Sequence, residues 1–121
     1  MNRQASGRSW EAVARDYLKA RGLRILRQRY LCRLGELDLV CLDGTTIVVV
    51  EVRARKKGSL ASAIDSIDWA KRRKIIRATR HLLMCNPQWN TQRLRFDVFA
   101  VSDIDTTTPQ FQWTQNAFDT D

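Results

Sequence analysis

The run Ile47-Val48-Val49-Val50, followed by Glu51-Val52-Arg53, constrains this chain more than any other segment. Four consecutive β-branched residues without polar alternation read as a strand buried on both faces, and such a strand needs a covering layer on each side. Glu51 interrupts the apolar run. An ionised carboxylate buried there loses hydration worth several kcal/mol unless cations or hydrogen-bond donors compensate it. Glu51 therefore requires a partner, and the cations of "RARKK" follow directly.

The surrounding sequence supplies the layers. "ELDLVCL" and "TTIVVVEV" read as two strands joined at Asp43-Gly44, a tight-hairpin signal, and "LRILRQRYL" reads as a strand before them. Upstream, "SGRSWEAVARDYLKARG" sets Trp10, Val13, Ala14, Tyr17 and Leu18 at helical spacing, with Gly22 as a C-terminal stop. Glu11 lies three and seven residues before Ala14 and Leu18, so it borders the apolar stripe and can look inward. "RARKKGSLAS" lacks apolar periodicity and is expected to be a mobile loop. A second helix is predicted from about Ser66 to Cys85 on Ile75, Ile76, Thr79, Leu82 and Leu83, ended by Asn86-Pro87. Its wheel brings Lys71 toward the sheet and leaves Arg73, Lys74 and Arg77 toward solvent. "LRFDVFAV" supplies a fourth strand. "QFQWT" is expected to add only a short edge strand within a polar C-terminal tail from about residue 103. The order helix, three strands, helix, strand predicts an α/β protein with a mixed central sheet flanked by helices.

A chain of 121 residues suits one domain with a single core, taken as residues 1–121. No apolar run approaches the roughly 20 residues of a membrane span, and "MNRQASGRSW" has no signal-peptide core. A soluble cytoplasmic protein with no membrane partner is the expectation. Cys32, Cys41 and Cys85 form no CxxC pair and His81 stands far from Cys32 and Cys41 in sequence, which argues against zinc. The cysteines are expected to be partly buried core residues, and His81 a solvated or helix-end residue without chemistry.

The net charge of +8 is localised. Arg53 to Arg80 holds ten Lys/Arg against two acids, Asp65 and Asp68, and the rest of the chain is balanced. A concentrated basic segment attracts a polyanion through counterion release; an anionic surface or an acidic protein answers the same charge, and a solvated helix face needs no partner. Residues two apart on a strand share a face, so Glu36 goes with Asp38 and Glu51 with Arg53. Counting outward from the turn brings Asp38 near the later half of the third strand. Two carboxylates sharing a semi-apolar face repel, and a hard divalent cation relieves them. A simple ion pair of Glu51 with Arg53 or Arg95, with Asp38 at the surface, satisfies the same residues, and both readings stay open here.

"GELDL", "VVVEVR", "AKRRK" and "RFDV", preceded by "WEAVARDYLKARGLRIL", resemble the bacterial YraN-like family, with its pattern GE..A..YL...G, GEIDL, VEVK/R, K and RFD. The resemblance runs from about Gly7 to Ser102. That family is similar to the PD-(D/E)xK nuclease superfamily and, in fold, to archaeal Holliday-junction resolvases. The resemblance implies a restriction-endonuclease-like αβββαβ core and a nuclease-like domain acting on nucleic acid, DNA above all. It implies catalytic roles for Asp38, Glu51, Arg53 and Glu11, and a magnesium or manganese ion held by Asp38, Glu51 and the main-chain carbonyl of Val52. Arg55, Lys56, Lys57, Lys71, Arg73, Lys74 and Arg77 are the cations expected to hold the nucleic acid. Resolvase-like folds often act as dimers on two-fold substrates, so a homodimer belongs to the same expectation. Two positions depart from the family pattern. Trp10 stands where Gly is usual and adds bulk near the first-helix Glu. Arg53 stands where Lys is usual, and an arginine cannot serve as a general base. The functional expectation is a magnesium-dependent endonuclease or nucleic-acid-processing protein for structured DNA; a non-catalytic binding module of the same fold is the alternative. An interaction protein whose basic helix meets an acidic partner is a third.

Overall fold

The computed structural model describes residues 9–90 and 92–120. The first eight residues, which entered the export expectation, lie outside them. Ser9 opens helix α1 (Trp10–Ala20), its hydroxyl accepting from the Ala12 amide at 3.1 Å. The helix stops at Gly22, whose φ of +92° lets the chain reverse and returns the Leu23 amide to the Leu18 carbonyl. Strands β1 (Arg24–Cys32), β2 (Gly35–Asp43) and β3 (Thr46–Ala54) then form an antiparallel meander. A short helix, α2 (Leu60–Asp65), and a long one, α3 (Trp69–Cys85), carry the chain across the sheet to β4 (Arg93–Ser102), which lies parallel to β3. A parallel neighbour requires such a crossover. Strand β5 (Gln110–Phe118) closes the far edge antiparallel to β4, giving a five-stranded mixed sheet in the order β1-β2-β3-β4-β5.

The two faces have separate cores. Ile75, Ile76, Ala78 and Leu82 of α3 pack on Leu37, Val40, Ile47, Val49, Phe96 and Val98. Ala14 and Leu18 of α1 pack on Leu39, Cys41, Val48, Val50, Phe99 and Val101. Strand β3 gives Ile47 and Val49 to one face and Val48 and Val50 to the other, which is why its sequence does not alternate. Each such side chain, fully buried, contributes about 1.5–3 kcal/mol relative to exposure. Among the described residues no helix is long and apolar enough to cross a membrane.

Several local expectations change. The segment expected to be a loop contains α2, nucleated by a capping box in which Ser59 and Ser62 each accept the other's amide at 3.1 Å. The edge strand runs nine residues through the expected polar tail, laddered to β4 from Val98 with Thr114 to Ser102 with Gln110, and a β4 carboxylate adds to its hold: Asp97 accepts from Trp113 Nε1 and the Asn116 amide, both at 2.9 Å. Arg95, a candidate partner of Glu51, is engaged by Asp97 at 2.9 Å and Asp43 at 3.2 Å instead. Cys41 is buried and Cys32 half-buried, but Cys85 is exposed. Burial, aided by Asp97, pushes the Cys41 thiol up to about 12, so it stays protonated. His81, near the C-terminal end of α3, is half-buried and hydrogen-bonded through Nδ1 to the Tyr30 hydroxyl.

Candidate functional site

The β2–β3 ladder pairs Asp43 with Thr46 and continues to Leu39 with Val50, then stops one step short of Asp38 and Glu51. In unbroken register these two would face each other. The strands splay there, and side chains take up the freed backbone groups. The Val52 amide donates to Asp38 Oδ2 at 2.8 Å, and the Asp38 amide approaches Glu51 Oε2 at 3.4 Å. Both carboxylates are consequently buried, with relative exposures of 9% for Asp38 and 5% for Glu51.

Arg53, two residues along β3 from Glu51, closes the group. Its Nη1 lies 3.8 Å from Asp38 Oδ2 and its Nη2 lies 3.8 Å from Glu51 Oε1. Nη1 also donates to the Val52 carbonyl at 3.0 Å. One cation thus touches the three oxygen-bearing groups assigned to a metal by resemblance. These groups open into a cavity of about 250 Å³ lined by Gly35, Glu36, Asp38, Glu51, Arg53, Lys71, Lys74 and Ile75. Gly35 permits the close approach of β2 to α3: a Cβ there would meet the Lys74 carbonyl oxygen at 3.0 Å.

The electrostatics follow from that burial. Glu51 is pushed up to about 8, first by loss of hydration and then by the charge of Asp38, against the pull of Arg53. Glu11 is also raised, by burial and then by Asp38, while Arg29, 3.7 Å away, lowers it. The first-helix Glu therefore reaches the electrostatic neighbourhood of Asp38 from the opposite side of the sheet. Among the described residues no three His, Cys, Asp or Glu side chains form a metal-holding group. The donors present for a cation are two carboxylates and one carbonyl, all hard oxygens, a set that suits magnesium completed by water. The guanidinium already shows that a cation fits against them.

The other expected site residues are spread out. Lys71 and Lys74 both line the cavity, and both are exposed, so Lys74 keeps the solvent access its wheel position suggested while bordering the site. Arg73 and Arg77 are exposed on the outer side of α3, and Lys56 and Lys57 are exposed between β3 and α2. Arg55 sits apart, donating to Ser62 Oγ at 3.0 Å beside a second cavity with Ser59, Gln110 and Gln112. Trp10 does not crowd the carboxylates; it packs edge-on against Phe111, ring centroids 6.5 Å apart. Glu36 and Gly35 were missed as site residues. The two-residue step from Glu36 to Asp38 signalled the first; only the close approach of α3 reveals the second.

The sequence profile described as "Uncharacterised protein family UPF0102" matches residues 10–101. The chain belongs to this family. A UPF0102 protein of Pseudomonas fluorescens strain Pf0-1 is 48% identical over 114 residues, covering 94% of this chain and 92% of that protein. A UPF0102 protein of Ectopseudomonas mendocina strain ymp is 45% identical over 113 residues, covering 93% of each chain. The UPF0102 match spans α1 through nearly all of β4, and so includes Glu11, Asp38, Glu51, Arg53, Lys71 and Lys74.

Proposed function

We infer that this UPF0102 protein is a divalent-cation-dependent phosphodiesterase acting on structured DNA, of the PD-(D/E)xK type. One observation carries the reading: where the β2–β3 ladder stops, Asp38, Glu51 and the Val52 carbonyl all face one cationic group, the Arg53 guanidinium, beside Lys71 and Lys74. Asp38, Glu51 and Val52 would hold magnesium or manganese, which when bound supplies Lewis-acid charge and an activated water. Lys71 and Lys74 bind the phosphate. Arg53 remains charged throughout, so it orients the phosphate and offsets developing negative charge without taking a proton. Glu51 holds a proton near neutrality with Arg53 beside it, and releases it on loading. The three free thiols suit a reducing compartment, in keeping with a cytoplasmic protein, and a homodimer would suit a two-fold branched substrate.

The alternative is a nucleic-acid-binding module without catalysis, and the position of Arg53 favours it. With Glu51 protonated near neutrality, one guanidinium offsets the remaining charge of Asp38 and no metal is needed. The test is a cleavage panel of linear, flapped and four-way DNA in magnesium, manganese and chelator, with isothermal titration of each metal. Wild type and Arg53→Lys should cleave at least one branched substrate when metal is present, and Asp38→Asn with Glu51→Gln should abolish cleavage and metal heat. Absence of cleavage and metal binding in both wild type and Arg53→Lys would remove the nuclease reading and leave the binding module.

A further inference from the structure

Trp69, the first residue of α3, is 68% exposed. The other three tryptophans are half-buried: Trp10 and Trp113 pack against the core on the α1 face, and Trp89 against the core on the α3 face. The guanidinium of Arg73 lies over the Trp69 ring, 4.7 Å from its centroid. That contact covers one face of the indole with a cation. Helix α3 carries six Lys/Arg and no acid, and at about 100° per residue Arg80, Arg73 and Arg77 follow Trp69 within about a quarter-turn, with Lys74 and then Lys71 further round. The aromatic ring and the cavity lysines thus lie toward the two ends of one arc that is cationic and carries no acid.

We propose that Trp69 is a stacking site for an unpaired base, so that the DNA taken by this protein carries a single-stranded or splayed segment beside the phosphate in the cavity. The proposal rests on the nucleic-acid reading above and names its substrate class. Polyanion binding alone explains Arg73, Arg77, Lys71 and Lys74, but not an exposed indole among them. Every base has a π-face to offer an aromatic side chain, and a cation fixed on the ring's other side also draws the phosphate. Bases inside an intact duplex are already stacked on one another and present no free face. Only an unpaired base adds to the charge attraction at Trp69.

The experiment is fluorescence anisotropy in chelator with three labelled probes: a blunt duplex, the same duplex with a short flap, and a single strand. Trp69→Ala should weaken binding of the flapped and single-stranded probes by about 5- to 150-fold, the range base–aromatic stacking spans, and change the blunt duplex by less than about twofold. Trp69→Phe should keep most of the affinity. Because the ring is exposed, unchanged melting of both variants is expected and verifies the fold. Equal losses on all three probes, or no loss on any, would overturn the stacking site while leaving DNA binding intact. Failure of the wild type to bind any probe would overturn both this proposal and the function on which it rests.

Discussion

Glu51 concentrates the chemistry of the chain in one side chain. Its carboxylate fills a gap in a sheet, with Asp38 beside it and Arg53 over it. Raised from an ordinary 4.5 to about 8, it is protonated in the folded protein across a range where the unfolded chain is ionised. The folded state then binds more protons than the unfolded one, so stability is fully present below about pH 4.5 and falls as pH rises to about 8. Glu11, raised as well, adds in the same direction. In chelator, wild-type melting temperature should therefore decline from pH 5 to 8.5 apart from the contributions of other groups. Glu51→Gln should remove most of that decline. The full effect is at most about 5 kcal/mol, at about 1.4 kcal/mol per pKa unit. Paired thermal melts at five or six pH values decide it; parallel curves for the two proteins would mean that Glu51 ionises freely.

At the scale of elements, one buried residue of β4 joins the ladder in holding the edge strand. Asp97 is fully buried, and its oxygens accept from Arg95 Nε and Nη2, Trp113 Nε1 and the Asn116 amide. The ladder between β4 and β5 shifts register beside it, and Asn116 has a φ of +54°. The carboxylate thus holds the part of β5 that the ladder does not. Asp97→Ala should cost about 3–5 kcal/mol, since it leaves the Arg95 guanidinium with only Asp43 and frees two further donors. Hydrogen exchange should quicken in β5 more than in β1 to β3. A loss below about 1 kcal/mol, or uniform exchange, would show β5 to be held by its ladder alone. The sequence made this arrangement only half visible. The meander was legible because buried strands and Asp43-Gly44 leave strong patterns, and counting from that turn placed Asp38 near Glu51. Strand β5 was read as a short piece because an exposed edge strand has little apolar alternation, and its anchor lies about sixteen residues away in the chain. Helix α2 was hidden because its start depends on two serine hydroxyls and not on apolar spacing. That the exposed Lys74 also borders the cavity was not legible, because a wheel gives an angle on the helix but not how closely β2 approaches it at Gly35.

On the scale of the whole molecule, the positive excess is one-sided in sequence, and the fold decides whether it is one-sided in space. The segment from Arg53 to Arg80 comprises the end of β3, the connection through α2 and most of α3, and α3 covers the face opposite α1. If this face binds nucleic acid, its cations release counterions, and the logarithm of affinity falls with the logarithm of salt by about 0.9 per duplex phosphate contacted. Reversing Lys56, Lys57, Arg73 and Lys74 together should weaken binding and flatten that slope by up to about four such steps. Lys19, exposed on α1, serves as the control: Lys19→Glu should shift affinity slightly through net charge and leave the slope within about one step of wild type. Filter binding or anisotropy between low and moderate salt measures both, with thermal melts verifying that each variant folds. Three of the four substituted residues are exposed outside the cavity, so a flattened slope with cleavage lost only through affinity would separate binding from chemistry. An unchanged slope in the quadruple variant would move the binding surface off α3. A flattened slope in Lys19→Glu alone would put it on α1, away from Lys71, Lys74 and the cavity they share.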